Sequence, residues 1–305
     1  MDYKKELLKR SLDTSNGFIY SESSEAQSVS RSVWDMRLRE YEEANLVVTP
    51  LAGVYDFRKD GKDYTIFVDE ASSAATALVE TTDVTISAIS TRSVTFTPTE
   101  YGAAYQLTRK AAVRAFFNVA DNMVKKLGYS LALKKDALAV AACRTGASNS
   151  VIANDVVSTA IASTDTLNYG ALTKARQLII DDYYTPEVLV INPIQHKQLL
   201  DLGTINKANE FGTRDAIQKG LVGELFGLRV IVGHSISSAS SKAKALVLGV
   251  SGTGEAAFGY AIKRDPIIEK EYHARGRYWD VVAHEEYNFQ VLHPNAICTV
   301  ETYSA

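Results

Sequence analysis

The chain is poor in the residues that usually carry chemistry or staple a fold. Only Cys143 and Cys298 occur in 305 residues. Two are too few for a disulfide framework, and both read as buried thiols of a reducing, cytosol-like compartment. Positive charge is not in excess: 33 Lys and Arg stand against 36 Asp and Glu, a net charge of -3. A reader of duplex DNA usually carries a basic surplus, so that class is disfavoured, with room left for a localised basic face. No apolar run approaches the about 20 residues of a membrane span. The N-terminal stretch MDYKKELLKRSLDTSNGF lacks the apolar core of a secretory signal. Internal repeats, heptads and extended low-complexity tracts are also missing. What remains is an ordinary soluble composition, 46% hydrophobic and 23% charged. The length favours two packed regions over one.

Motifs of catalysis fail one by one. GLVGELFGLRVIVGHSI, Gly220 to Ile236, is glycine-spaced, yet no Lys follows Gly220, Gly223 or Gly227 as a phosphate-binding loop requires. Gly252-Thr253-Gly254 begins like GxGxxG, but Ala257 stands where the third glycine belongs, so a turn between strands is expected there. His284 and Glu285 begin like HExxH, but Asn288 occupies the second histidine position. His196, His234, His273, His284 and His293 are scattered singly and read as hydrogen-bonded structural residues. Cys143 sits in an apolar helical run, which speaks against a Cys/His nucleophile. The many carboxylates allow a glycosidase-like pair only as any chain of this length would. The expectation is no enzyme, with no catalytic, cofactor-binding or metal-binding residue.

The organisation is more informative. The first fifty residues form a polar arm: DYKKELLKR is a short helix candidate, and SEAQSVSRSVWDMRLREYEEAN a longer one. In the longer helix Ser24 and Gln27 match a capping box, and Val29, Val33, Trp34 and Met36 give a thin apolar stripe. Such a segment buries little by itself and should lie on a surface, its own or a neighbour's. From Val54 to Phe96 the pattern turns to β. Asp60-Gly61 sits between two alternating runs as a hairpin signal, and DVTISAIS and SVTFTPT alternate again. A hairpin with so little core of its own should lie on something. Asn118 to Cys143 is the clearest helix, with Met123, Leu127, Leu131 and Leu138 on one stripe and Lys125, Lys126, Lys134 and Lys135 largely off it. A glycine in RTGASNS stops it. Beyond lie the helix NYGALTKARQLIIDDYY, the buried strand EVLVINP, the short helix IQHKQLLDL, and the strands LRVIVG, ALVLGV and AFGYAIKRD. The C-terminal part alternates around Trp279, Val281, Phe289 and Val291. Helices and strands mix without a βαβ rhythm, so the class is α+β.

That order of elements resembles the major capsid proteins of tailed bacteriophages, the Hong Kong ninety-seven fold. TALVET, YQLTRKAAVR, LVINPIQHKQLLDL and GLVGELFGLRVIVGHSI match the family's habits in sequence and order. The resemblance implies an N-terminal arm (1–50), an extended β-hairpin loop (51–97), a peripheral domain with a long spine helix (98–146) and an axial domain (147–263). Strands at 264–305 would return to the peripheral domain. It implies that the glycine-spaced segment is structural. It also implies a protein that self-assembles as hexamers and pentamers into an icosahedral virion shell around double-stranded DNA, built in the host cytoplasm. Its implied partners are further copies of itself, a portal, scaffolding or decoration proteins, and packaged DNA contacted non-specifically, with no membrane. No long scaffolding region precedes the arm, so a separate scaffold or none is implied. Some relatives form Lys–Asn cross-links; Lys59, Lys62 and Asn288 are present, but no motif matches them to that role. Two alternatives stay open: an encapsulin-type nanocompartment shell, against which the long arm argues, and an α+β hydrolase.

Overall fold

The computed structural model describes residues 24–43, 45–58, 61–69, 91–114, 119–153, 161, 165–201, 223–233, 242–252 and 254–303. The chain opens with α1 (Ser24–Glu43), followed by strands β1 (Gly53–Asp56), β2 (Tyr64–Asp69), β3 (Thr91–Phe96) and β4 (Thr99–Thr108). Next come α2 (Arg109–Arg114), α3 (Val119–Gly146), β5 (Asn149–Ile152), α4 (Tyr169–Asp181), β6 (Thr185–Ile191) and α5 (Pro193–Asp201). The remainder is β7 (Glu224–Leu225), β8 (Leu228–Val232), β9 (Lys242–Val250), β10 (Phe258–His273), β11 (Tyr278–Val291) and β12 (Ile297–Tyr303). They form a four-stranded sheet in the order β1-β10-β11-β4, a six-stranded sheet in the order β5-β12-β9-β6-β8-β7, and the pair β2-β3.

Helix α3 joins the two larger sheets. Its 28 residues span about 42 Å at 1.5 Å per residue. In its first half, Met123, Val124, Leu127 and Leu131 pack with Leu38 of α1 and with Leu107, Ile268, Val281 and Ala283 of the four-stranded sheet. In its second half, Ala139, Val140 and Cys143 meet Val188, Val190, Leu246 and Leu248 of the six-stranded sheet, together with Phe258, Tyr287 and Phe289. The other face of the six-stranded sheet is closed by Ala171, Leu172, Ala175 and Ile179 of α4, against Val151, Leu189, Val247 and Val300. Strands β6 and β9 are therefore covered on both faces, which is why their sequences are continuous apolar runs rather than alternating ones. The expected helix and its stripe stand as read, apart from Leu138, which is half-buried, and Lys135, which is 3% exposed.

Four expectations need correction. The two runs flanking Asp60-Gly61 do not pair with each other: β1 pairs in parallel with β10 and β2 pairs antiparallel with β3. A local turn signal lost to two non-local pairings. Asp60 itself, with DVTISAIS and the short helix candidate DYKKELLKR, lies outside the described residues. The second correction is to the arm. Helix α1 is part of the subunit's core, with Leu38 fully buried and α3 lying against it. Gly128 allows that approach, since a Cβ there would sit 3.0 Å from the Tyr41 Cβ and 3.2 Å from the Leu38 carbonyl. Third, the stripe of α1 runs through Trp34, Leu38 and Tyr41 rather than Met36, which is 51% exposed. Ser24 opens the helix itself. Last, β12 does not return with β10 and β11; it is hydrogen-bonded between β5 and β9 in the six-stranded sheet.

Candidate functional site

The positions that could have carried chemistry are tied up structurally. Phe226 and Gly227 form the two-residue turn joining β7 to β8, both with positive φ (54° and 74°), the geometry of a tight hairpin that glycine favours. Gly254, at φ 83°, sits in the turn between β9 and β10, where its N–H donates to the Ser251 carbonyl. His293 lies 3.2 Å from Glu255 and 3.5 Å from the Tyr184 hydroxyl, and His273 lies 3.0 Å from Asp280. His284 is on β11, 3.8 Å from Glu100, and His234 lies outside the described residues. Both cysteines are free and buried, and burial raises both thiols, that of Cys298 to about 12. Neither is a nucleophile at neutral pH. Among the described residues no three His, Cys, Asp or Glu side chains group to hold a metal ion. The Asn288 amide donates to the Thr97 carbonyl, Lys62 is exposed, and Lys59 lies outside the described residues.

The strongest electrostatic feature went unseen in the sequence. Lys135 of α3 is buried between two buried carboxylates, Glu42 of α1 and Glu285 of β11. Its ammonium is ion-paired to Glu42 and lies 2.6 Å from Glu285, with the rings of Tyr287 and Tyr260 5.1 and 5.5 Å away. Burial works against the lysine's charge, but Glu285, Tyr260 and Glu42 outweigh it and raise its pKa. Burial pushes the Glu285 carboxyl up to about 8, against the pull of Lys135 and with the push of Glu42. Among the described residues, one Glu285 oxygen and the Tyr287 hydroxyl have no hydrogen-bond partner. The cluster ties the N-terminal helix to the spine helix and the long strand behind it.

That arrangement makes stability depend on pH. Glu285 would release its proton near 4.5 in an unfolded chain and holds it to about 8 in the fold. Between those values the folded state binds more protons, so its contribution is complete below 4.5 and is lost as pH rises through 8. Glu285→Gln is expected to flatten the pH dependence of the unfolding free energy over that interval. Chemical unfolding of both proteins at several pH values is the check; parallel curves would contradict it.

A second polar anchor holds the chain as it leaves α1. The Asp136 carboxylate accepts the backbone N–H groups of Val47, Val48 and Thr49 at 2.7, 3.2 and 2.9 Å, and the Thr49 hydroxyl at 2.8 Å. Side by side on α3, Lys135 and Asp136 thus hold Glu42 near the end of α1 and the backbone of Val47, Val48 and Thr49 beyond it.

Outward-facing apolar groups are the remaining candidates for contact. On β2, Ile66 and Val68 face inward with Val94 and Phe96 of β3, onto Phe57, Ala261 and Leu292. Phe67 points the other way and is 71% exposed. Thr65 and Thr95, paired through their hydroxyls at 2.9 Å, share that outer face.

A family model described as phage capsid protein matches residues 91–296, more than half of the chain. No curated protein matches the sequence. Among solved structures the chain is similar to that of Mycobacterium phage Che8, with 14% identity and a TM-score of 0.67, covering 84% of this chain and 90% of that one. It is also similar to the capsid of Cyanophage P-SCSP1u, at 18% identity and a TM-score of 0.64 over 84% of this chain and 86% of that one. A virus-like particle from Pyrococcus furiosus aligns at 12% identity and a TM-score of 0.60, over 89% of this chain and 99% of that one. At such identities the likeness establishes the fold.

Proposed function

The chain belongs to the phage capsid protein family, and from that premise we propose that its copies self-assemble, as hexamers and pentamers, into a closed icosahedral shell around double-stranded DNA. It is a structural, non-enzymatic capsid protein of the virion with the Hong Kong ninety-seven fold. The observation that carries the proposal is the family match together with subunit surfaces suited to many modest contacts. A shell must stay soluble as subunits and close cooperatively. Separate exposed groups such as Phe67 provide contact area without one large apolar patch. A net charge of -3 limits repulsion between copies.

On this reading α1, α3 and the four-stranded sheet are the peripheral domain, and the six-stranded sheet with α4, α5 and β12 is the axial domain. The β2-β3 pair belongs to the extended loop expected over 51–97. Portal, scaffolding or decoration proteins are its expected partners, and the host cytoplasm its place of assembly. The family match favours DNA over enzyme cargo, and with it the virion over a nanocompartment. Sedimentation of purified protein, alone and with any scaffold, tests assembly: the expected species is megadalton-sized, and a persistent monomer or dimer would refute it. Nuclease-protected DNA inside native particles is the expected cargo; a packaged enzyme would overturn that part.

A further inference from the structure

Helix α4 ends in a motif that ordinarily demands glycine. The Tyr184 N–H donates to the Ile179 carbonyl at 3.1 Å, and the Tyr183 N–H to the Ile180 carbonyl at 2.9 Å. These are the two bonds of a Schellman stop, whose left-handed position is usually glycine because a Cβ is strained there. Here it is Tyr183, at φ 67°. Among the described residues, the two other left-handed positions that are not glycine have visible compensation. Phe226 sets its ring edge-on to Tyr169, with centroids 5.5 Å apart. Arg277 exchanges backbone hydrogen bonds with His273 and Arg109 in the β10–β11 turn. Like Arg277, Tyr183 has the backbone bonds of its turn, but its ring makes no return like that of Phe226: it is 93% exposed and meets no ring among the described residues. The backbone bonds of the stop account for the turn but not for an aromatic ring standing in solvent at a position glycine would fill, and that ring points to a contact outside.

Resting on the reading that copies assemble, we propose that Tyr183 is an intersubunit anchor that inserts beside the first turns of α4 in a second copy of this chain. Ile180, 45% exposed, extends the apolar knob, and Asp181 and Asp182 give it an acidic margin. The receiving groove holds about 550 Å³ between Val151, Ile152 and Ala171 on its apolar side and Thr173, Lys174 and Gln177 on its polar side. A phenol ring fits that space, and the Lys174 ammonium on the rim complements the knob's carboxylates. The knob does not reach its own groove. Tyr183 lies ten residues beyond Thr173, about 15 Å along the helix direction, farther than a tyrosine side chain extends. The Tyr183 ring and the part of the groove between Val151 and Thr173 therefore meet only between copies, head to tail. Contacts of that kind close into rings when the rotation permits.

The test pairs a relieved variant with a cross-link. Tyr183→Gly restores the residue the stop prefers, so the unassembled subunit should melt at the wild-type temperature or above it. Its critical concentration for assembly should nevertheless rise about tenfold or more, as loss of a buried aromatic anchor does. The second variant, Tyr183→Cys with Thr173→Cys, should give disulfide-linked ladders on oxidation of assembled shells and none in dilute subunits. Either Tyr183→Gly assembling like wild type, or shells of the double variant without ladders, overturns the proposal. A wild-type chain that never assembles would instead remove the functional reading on which it rests.

Discussion

Replacing Lys135 with Met is expected to destabilise the folded subunit by about 3–5 kcal/mol, the usual consequence of breaking a buried ion pair by removing one partner. The substitution conserves most of the side chain's volume, so the loss is electrostatic rather than a cavity. It leaves Glu42 and Glu285, 2% and 1% exposed, facing each other without a cation. The buried negative charge left without its cation must then be neutralised or pull water into the cluster. Because α1 is held to α3 at this point, its end should loosen first. Trp34 on α1, stacked under Lys270 at 5.2 Å, would report that loosening by fluorescence. Adding Glu42→Gln and Glu285→Gln to the same chain should recover most of the loss, since two neutral amides can hydrogen-bond to each other beside the thioether and need no counter-charge. Denaturant unfolding of the three proteins decides it. A single variant as stable as wild type, or a triple variant no better than the single, would contradict this view of the cluster.

Phe67→Asp is expected to do the reverse: leave the subunit intact and disable assembly. The side chain is 71% exposed, so its loss should change subunit stability by no more than about 0.5 kcal/mol. On the inner face of the same pair, Val94 and Phe96 are 7% and 0% exposed, and Phe96→Asp serves as the contrasting case that should unfold the hairpin's base. In an intersubunit contact, the new carboxylate at position 67 would be buried without a partner, which costs several kcal/mol per contact and is repeated in every copy. Thermal melts should coincide with wild type while light scattering shows no large particles. A variant that assembles normally would remove the outer face of β2 from the contact set.

What the sequence disclosed, and what it hid, follows from the range of the forces involved. The 3.6-residue stripe of Met123, Leu127 and Leu131 was legible because one helix face meets one core. The two-residue alternation of β11 was equally legible. It buries Val281, Ala283, Glu285, Tyr287, Phe289 and Val291 in turn. Followed through, that alternation would have put Glu285 inside, the one signal available for the charged cluster. Lys135 offered none, because lysine is rarely buried and its partners lie 93 and 150 positions away. The turn at Asp60-Gly61 misled for a related reason: local hairpin chemistry carries no information about a parallel partner two hundred residues on, as β1 finds in β10. At Tyr183 the sequence hides which residue turns left-handed: Pro186 marks the end of the helix, but the glycine that usually takes that position is missing.

Electron microscopy of the assembled material tests the central claim most directly. Purified protein, with a scaffold if one is required, should give closed shells tens of nanometres across, a size implied by the family. A reconstruction should place α4 of one copy end to end with that of the next, and Phe67 against a neighbour. Images showing only small compact oligomers under every assembly condition would contradict the account.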